Sequence, residues 1–79
     1  MMNFTVYTRP GCPYCTKIKQ VLEGKCYTYT EKQLSHDFSR EEFYAQFGNG
    51  STFPQVIKDG VKLGGCTETV RYLRENNLV

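Results

Sequence analysis

Residues 4–15 decide the fold, and they read Phe4-Thr5-Val6-Tyr7-Thr8-Arg9-Pro10-Gly11-Cys12-Pro13-Tyr14-Cys15. The β-branched and aromatic side chains of residues 3–8 alternate between two faces, which predicts a β-strand. The pair Pro10-Gly11 ends the strand, and Pro13 suits the first turn of a helix that begins near Cys12. This stretch therefore predicts a strand, a turn and a helix whose first residues carry two cysteines.

The chain after Cys15 first predicts the rest of this helix and then a second strand. Apolar residues recur at helical spacing as far as Gly24, which ends the helix. Residues 26–30 are rich in Tyr and Thr and predict a strand, and the polar residues 31–37 predict a loop. At the start of this strand, Cys26 is expected to be a small, buried apolar residue.

The second half of the chain predicts a helix, a hairpin and a final helix. Ser39 and Glu42 have the spacing of a capping box, in which each side chain bonds the backbone amide of the other residue. Asp59-Gly60 lies between two short apolar runs and is a strong hairpin signal. Gly64-Gly65 closes the hairpin, and the last helix is predicted to start near Thr67.

The predicted order of elements is βαβαββα, which indicates an α/β fold. The first two strands are joined by a helix, so they should be parallel with a right-handed crossover, and the last two strands should form an antiparallel hairpin. A four-stranded mixed sheet with helices on both faces matches the thioredoxin fold. At this length, residues 1–79 form a single domain.

Composition and charge exclude several classes of function. Ten Lys+Arg against eight Asp+Glu give a net charge of +2, which does not suggest a nucleic-acid partner. The first residues have neither the apolar core nor the cleavage site of a signal peptide. No apolar run approaches the roughly 18 residues that suggest a membrane span, so we expect no membrane partner and a cytoplasmic location.

The spacing of Cys12 and Cys15 at a helix start favours redox chemistry. Unpaired amides and the helix dipole at this position stabilise negative charge. Thiols in such Cys-x-x-Cys motifs have pKa values of about 3.5–7.5 rather than about 8.5. Cys12 is therefore the predicted nucleophile. Cys15 lies one turn later, within reach of an internal disulfide, and is the predicted resolving thiol.

Two other interpretations of the four cysteines are weaker. A disulfide scaffold would allow three pairings, but it is typical of secreted chains, and this sequence carries no secretion signal. A zinc half-site would need paired ligand motifs, whereas Cys26, Cys66 and His36 are scattered single residues. We therefore predict no metal site.

The sequence resembles the glutaredoxin family over nearly its whole length, because four motifs agree in order. The cysteine pair encloses Pro-Tyr, which is the family's commonest dithiol form. A second motif, residues 51–56, resembles a family loop whose proline is cis, so we predict a cis bond between Phe53 and Pro54. Residues 64–68 resemble the family's Gly-Gly turn into the last helix, and residues 40–42 resemble the start of its middle helix.

This resemblance implies a glutathione-binding site. Arg9 and Arg40 would contact the glycine carboxylate of the tripeptide, and Glu68 would hold its γ-glutamyl ammonium group, although the family usually has aspartate there. The amides near Cys66 and Thr67, at a helix N-terminus, would bind the γ-glutamyl carboxylate. The full set of implied glutathione contacts is Arg9, Tyr14, Arg40, Thr52, Phe53, Pro54, Gly65, Cys66, Thr67 and Glu68.

The resemblance also implies a function. It predicts a glutathione-dependent oxidoreductase that reduces protein disulfides and protein–glutathione mixed disulfides through Cys12 and Cys15. Glutathione would be a reducing co-substrate, with no bound cofactor. The expected partners are disulfide-containing or glutathionylated proteins, ribonucleotide reductase among them, and the chain is expected to be a monomer.

Two alternatives are ranked lower. A redoxin fed by a reductase protein usually carries Trp-Cys-Gly-Pro-Cys and lacks the basic residue found here at position 9. An iron–sulfur carrier in this family usually has a single active-site cysteine, whereas here Cys15 competes for Cys12 and Pro13 stiffens the turn.

Overall fold

A computed structural model describes residues 3–78 and places seven elements in the predicted order βαβαββα. None of the helices in this range is both long and apolar enough to cross a membrane. The elements are β1 (Phe4–Thr8), α1 (Pro13–Gly24), β2 (Tyr29–Gln33), α2 (Arg40–Phe47), β3 (Gln55–Lys58), β4 (Val61–Gly64) and α3 (Cys66–Glu75).

The four strands form one mixed sheet in the order β2-β1-β3-β4. As predicted, β1 and β2 are parallel and β3 and β4 form an antiparallel hairpin, while β1 also pairs antiparallel with β3. The interior position of β1 explains its composition. A strand covered on both faces has few places for charged side chains, and β1 carries none.

The two faces of the sheet support separate apolar clusters. Phe4 and Val6 of β1 pack with Ile18 and Leu22 of α1 and with Leu73 of α3. On the other face lies an aromatic cluster that attaches α2 to the sheet. Its buried members and its partly buried neighbours are Tyr7, Leu34, Phe38, Phe43, Tyr44, Phe47, Phe53 and Ile57. The predicted helices on both faces are therefore confirmed.

The caps of α1 and α2 are those that the sequence predicts. Cys12 is the N-cap of α1, and Pro13 takes its first helical position. In α2, the Ser39 hydroxyl accepts from the Glu42 amide at 3.1 Å, and the Glu42 carboxylate accepts from the Ser39 amide at 2.8 Å. This reciprocal pair completes the capping box.

The second strand lies later in the sequence than predicted. Residues 26–30 were expected to form it and residues 31–37 a loop, but β2 spans Tyr29–Gln33. The physical reason is that β2 is an edge strand, so its exposed positions accept polar side chains that resemble a loop in sequence. Cys26 is also not a buried strand residue: it is exposed, in the turn after α1, with a φ of 59°.

The junction between the hairpin and α3 is tightly packed around Gly64. Its φ is +105°, a conformation that residues with side chains rarely adopt. An added Cβ at this position would lie 2.9 Å from the Cβ of Glu68, closer than atoms can approach without a shift. Gly64 therefore allows β4 to turn directly into α3.

Replacing Gly64 by alanine should destabilise the fold. We expect Gly64→Ala to lower the free energy of unfolding by about 1–3 kcal/mol, because it combines a strained φ with a steric clash. Gly24→Ala is the matched control, since a Cβ there meets no atom within 4 Å and alanine is the better helix former. Urea unfolding of both variants checks this, and equal losses would contradict it.

Candidate active site

Cys12 and Cys15 lie together at the N-terminus of α1 and are joined by a disulfide with a Cα–Cα distance of 5.2 Å. The sulfur of Cys12 accepts a hydrogen bond from the Cys15 amide at 3.1 Å. Cys12 is 7% exposed and Cys15 is 2% exposed. The structure therefore brings the two predicted catalytic residues into contact, with Cys12 the more accessible.

The helix start gives the Cys12 sulfur an environment suited to a thiolate. The first amides of α1 have no partners within the helix, and the positive end of the helix dipole points at the N-cap. The Cys15 amide already points at the sulfur. An anion at this atom is therefore stabilised by backbone groups that the fold holds in place.

Beside the cysteine pair lies a groove of about 180 Å³, lined by residues from three separate parts of the chain. Tyr14, which is 60% exposed, forms one wall. The bond between Phe53 and Pro54 is cis, as predicted. The complete lining is Tyr14, Thr52, Phe53, Pro54, Gly65, Cys66, Thr67 and Glu68. All eight belong to the predicted set of glutathione contacts.

Glu68 contributes to the local fold as well as to the groove. Its carboxylate accepts a hydrogen bond from the Gly65 amide at 2.7 Å. That bond caps the first turn of α3, which has no side-chain cap at Gly65 itself. A carboxylate can accept more hydrogen bonds than this single one, so capping and ligand contact are compatible at Glu68.

Arg9 and Arg40 do not line this groove. Arg9 borders a separate cleft on the β2 side of the cysteines, and its guanidinium donates to the Pro10 carbonyl at 3.3 Å. Arg40 borders a depression beside Asp37 and Ser39. The structure therefore brings eight of the ten predicted contact residues together in one groove, without these two arginines, and contact of glutathione with all ten stays a prediction.

The cleft that Arg9 borders contains a polar network that the sequence did not reveal. The Glu31 carboxylate accepts hydrogen bonds from Thr8 at 2.7 Å, Lys19 at 3.1 Å and Gln33 at 3.4 Å. Partial burial opposes ionisation, but these three donors outweigh it and lower the pKa of Glu31. Cys12 and Cys15 border the same cleft. The sequence hides this network because the polar residues around Glu31 resemble a loop.

No group of three or more His, Cys, Asp or Glu side chains that could hold a metal ion occurs within residues 3–78. Of the two cysteines outside the redox pair, Cys66 is the buried one; it is the first residue of α3 and is 7% exposed. Burial raises its pKa, the Glu68 carboxylate raises it further, and Lys17 opposes both. Cys66 therefore lines the groove largely as a neutral thiol near neutral pH.

Comparisons of the sequence and of the structure with known proteins all indicate the same family. The family model described as Glutaredoxin matches residues 4–63. Glutaredoxin 1 of Rickettsia prowazekii is 35% identical over 75 residues, covering 92% of this chain and 79% of the relative. The crystal structure of glutaredoxin 1 from Francisella tularensis, complexed with cacodylate, superposes with a TM-score of 0.81 at 30% identity, covering 99% of this chain and 98% of that one.

A buckwheat glutaredoxin in complex with glutathione shares the fold, with a TM-score of 0.80 at 23% identity over 95% of this chain and 71% of the buckwheat chain. These likenesses confirm the predicted thioredoxin fold.

The two cysteines outside the redox pair should differ in reactivity. We expect Cys26 to be alkylated by iodoacetamide well before Cys66 in the oxidised protein at neutral pH. Cys26 is exposed, whereas Cys66 is buried and has a raised pKa, and the thiolate is the reacting form. Mass spectrometry of digested protein measures the alkylation rate of each cysteine. The Cys26→Ser variant should retain only the slow alkylation of Cys66. A faster reaction at Cys66 would show that the groove opens in solution.

Proposed function

Because the chain belongs to the glutaredoxin family and is therefore a thiol–disulfide oxidoreductase, we propose that it reduces protein disulfides and protein–glutathione mixed disulfides with glutathione as its reducing co-substrate. The observation that carries this proposal is the placement of Cys12. Its sulfur lies at a helix N-terminus. The cysteine pair adjoins a groove lined by eight of the ten residues that the family resemblance assigns to glutathione binding.

The first step is attack by the Cys12 thiolate on a glutathionylated substrate. A new bond forms between Cys12 and the glutathione sulfur, the original disulfide breaks, and the substrate leaves as its thiolate. A second glutathione thiolate then attacks the glutathione sulfur bound to Cys12. This releases glutathione disulfide and restores the Cys12 thiolate.

Reduction of a protein disulfide needs Cys15 as well. Cys12 attacks one sulfur of the substrate and forms a mixed disulfide between the two proteins. Cys15, after losing its proton, then attacks the Cys12 sulfur and releases the reduced substrate. The product is the Cys12–Cys15 disulfide seen in the structure, and two glutathiones reduce it in two exchange steps.

The groove favours binding of glutathione with its cysteine sulfur towards Cys12. The backbone beside Pro54 would pair with the extended tripeptide, as an added strand pairs with a sheet edge. At the other end, the free amides of the first turn of α3 suit the γ-glutamyl carboxylate. The Glu68 carboxylate would accept from the neighbouring ammonium group. The buckwheat glutaredoxin of the same fold forms a complex with glutathione, which supports this assignment.

Three further parts of the proposal rest on the sequence and its resemblance to the family rather than on geometry. They are a cytoplasmic location, a monomeric state, and ribonucleotide reductase among the protein substrates. No prosthetic group is needed in the exchange steps above, because glutathione supplies both electrons.

Substitution of the two cysteines should separate the two reactions. Cys12→Ser should abolish all turnover, because it removes the nucleophile. Cys15→Ser should retain reduction of glutathionylated substrates, which needs one thiol, and lose most reduction of protein disulfides. Coupled assays with glutathione and glutathione reductase measure both. Loss of both activities in Cys15→Ser would contradict the assigned roles.

Removal of the Arg9 charge should weaken glutathione use specifically. An exposed ion pair is worth about 0–1 kcal/mol and a charge-assisted hydrogen bond about 1.5–3 kcal/mol. Arg9 is exposed, so we expect a loss of about 1.4 kcal/mol, and Arg9→Ala should lower kcat/KM for glutathione by roughly tenfold. The loss should shrink at high salt. Lys25→Ala is the matched control, because this exposed cation follows the far end of α1.

An uncharged small thiol in place of glutathione distinguishes binding from reactivity. Its kcat/KM should fall much less than that of glutathione in Arg9→Ala. Equal losses for the two thiols would show that Arg9 acts on the acidity of Cys12, and binding of the glycine carboxylate by Arg9 would then be wrong.

A further inference from the structure

A second groove, of about 560 Å³, runs between α1 and α3 next to the cysteine pair. We propose that this groove binds acidic residues that flank the reactive cysteine of a protein substrate. The proposal rests on the proposed function, because it assumes that a protein sulfur reaches Cys12. The groove is lined by Tyr14, Lys17, Val21, Cys66, Thr67, Val70, Arg71 and Arg74.

The lining comes from one face of each helix. Tyr14, Lys17 and Val21 lie three and four positions apart along α1, and the members from α3 follow the same helical spacing. The two valines are half-buried against the apolar cluster between β1, α1 and α3, and they form an apolar floor for the groove. The positive side chains are exposed along the groove. Such a surface suits an extended polypeptide segment of a partner. The segment's backbone would lie on the valines, and its charged side chains would reach the positive side chains along the groove.

The charged side chains that line the groove are all positive. Lys17, Arg71 and Arg74 line it, and no Asp or Glu does. Among residues 3–78, none of these three cations forms a salt bridge. Lys19 and Lys58, by contrast, pair with carboxylates. Three unpaired cations on one concave surface favour an anionic partner by charge complementarity.

The groove is continuous with the predicted glutathione site. Tyr14, Cys66 and Thr67 line both of them. From Thr67 to Arg74, α3 rises about 10 Å, which an extended peptide covers in about three residues. A substrate whose cysteine reaches Cys12 would therefore place its neighbouring residues over the cations. This proximity to the reacting sulfur favours a thiol-bearing protein over a nucleic acid.

Two glutathionylated peptides with one cysteine each test the proposal. One has glutamates on both sides of the cysteine, and the other has glutamines at the same positions. We expect wild-type kcat/KM to favour the acidic peptide by about fivefold at low ionic strength, since each exposed ion pair is worth less than about 1 kcal/mol. The preference should vanish near 1 M salt, where the Debye length is about 3 Å.

Variants separate the groove from the overall charge of the protein. R71Q/R74Q should remove most of the preference for the acidic peptide. The control K25Q/K32Q, which removes two exposed cations outside the groove, should keep it. A third peptide with its glutamates beyond the reach of the groove should be reduced no faster than the glutamine peptide. Equal effects of the two double variants, or an equal rate gain for the third peptide, would overturn the proposal.

A small uncharged disulfide distinguishes this inference from the proposed function. If wild-type protein with glutathione reduces bis(2-hydroxyethyl) disulfide but shows no acidic preference, only the groove assignment fails. If it does not reduce that compound, the proposed function fails. A single-stranded oligonucleotide that inhibits wild-type protein as strongly as the free acidic peptide, but not R71Q/R74Q, would also overturn the proposal in favour of general polyanion binding.

Discussion

Burial of β1 on both faces is the constraint on which the rest of the structure depends. Phe4 and Val6 require cover from α1 and α3, and Tyr7 requires it from α2. Because α1 must return across the first face, it begins close to the end of β1, and the turn between them is short. Cys12 occupies that turn, so the packing of the core determines the position of the reactive sulfur.

Local signals made most of the fold predictable. The capping box of α2, the hairpin at Asp59-Gly60 and the helix start at Pro13 each depend on residues close in sequence. The position of β2 depends instead on pairing with β1 and on the contacts of Glu31 with Thr8 and Lys19. These are distant partners, and an edge strand can be as polar as a loop, so composition alone placed the strand too early.

In the candidate site, too, features that depend on residues close in sequence were predictable, and features that depend on distant partners were not. The family motifs identified the groove residues because each motif is a short segment next to a strand. The sheet brings together the segments after β1, before β3 and after β4. Arg9 and Arg40 were harder to place, since long charged side chains are compatible with many surface positions. The cations between α1 and α3 gave no motif at all, because their arrangement depends on how two helices pack. Glu68 shows a further limit: the family resemblance implied a ligand contact for it, while the structure shows that its carboxylate caps α3.

The link between Cys12 and Cys15 spans three positions, so it restricts the unfolded chain far less than a long cross-link would. The helix amides around the Cys12 sulfur, however, exist only in the folded protein. Folding and reduction therefore form a thermodynamic cycle: any amount by which these amides stabilise the folded dithiol over the folded disulfide must also raise the reduction potential of the pair. That contribution makes the pair a stronger oxidant, whereas the fold's placement of the two Cα atoms 5.2 Å apart acts in the opposite direction, because it favours closure of the disulfide.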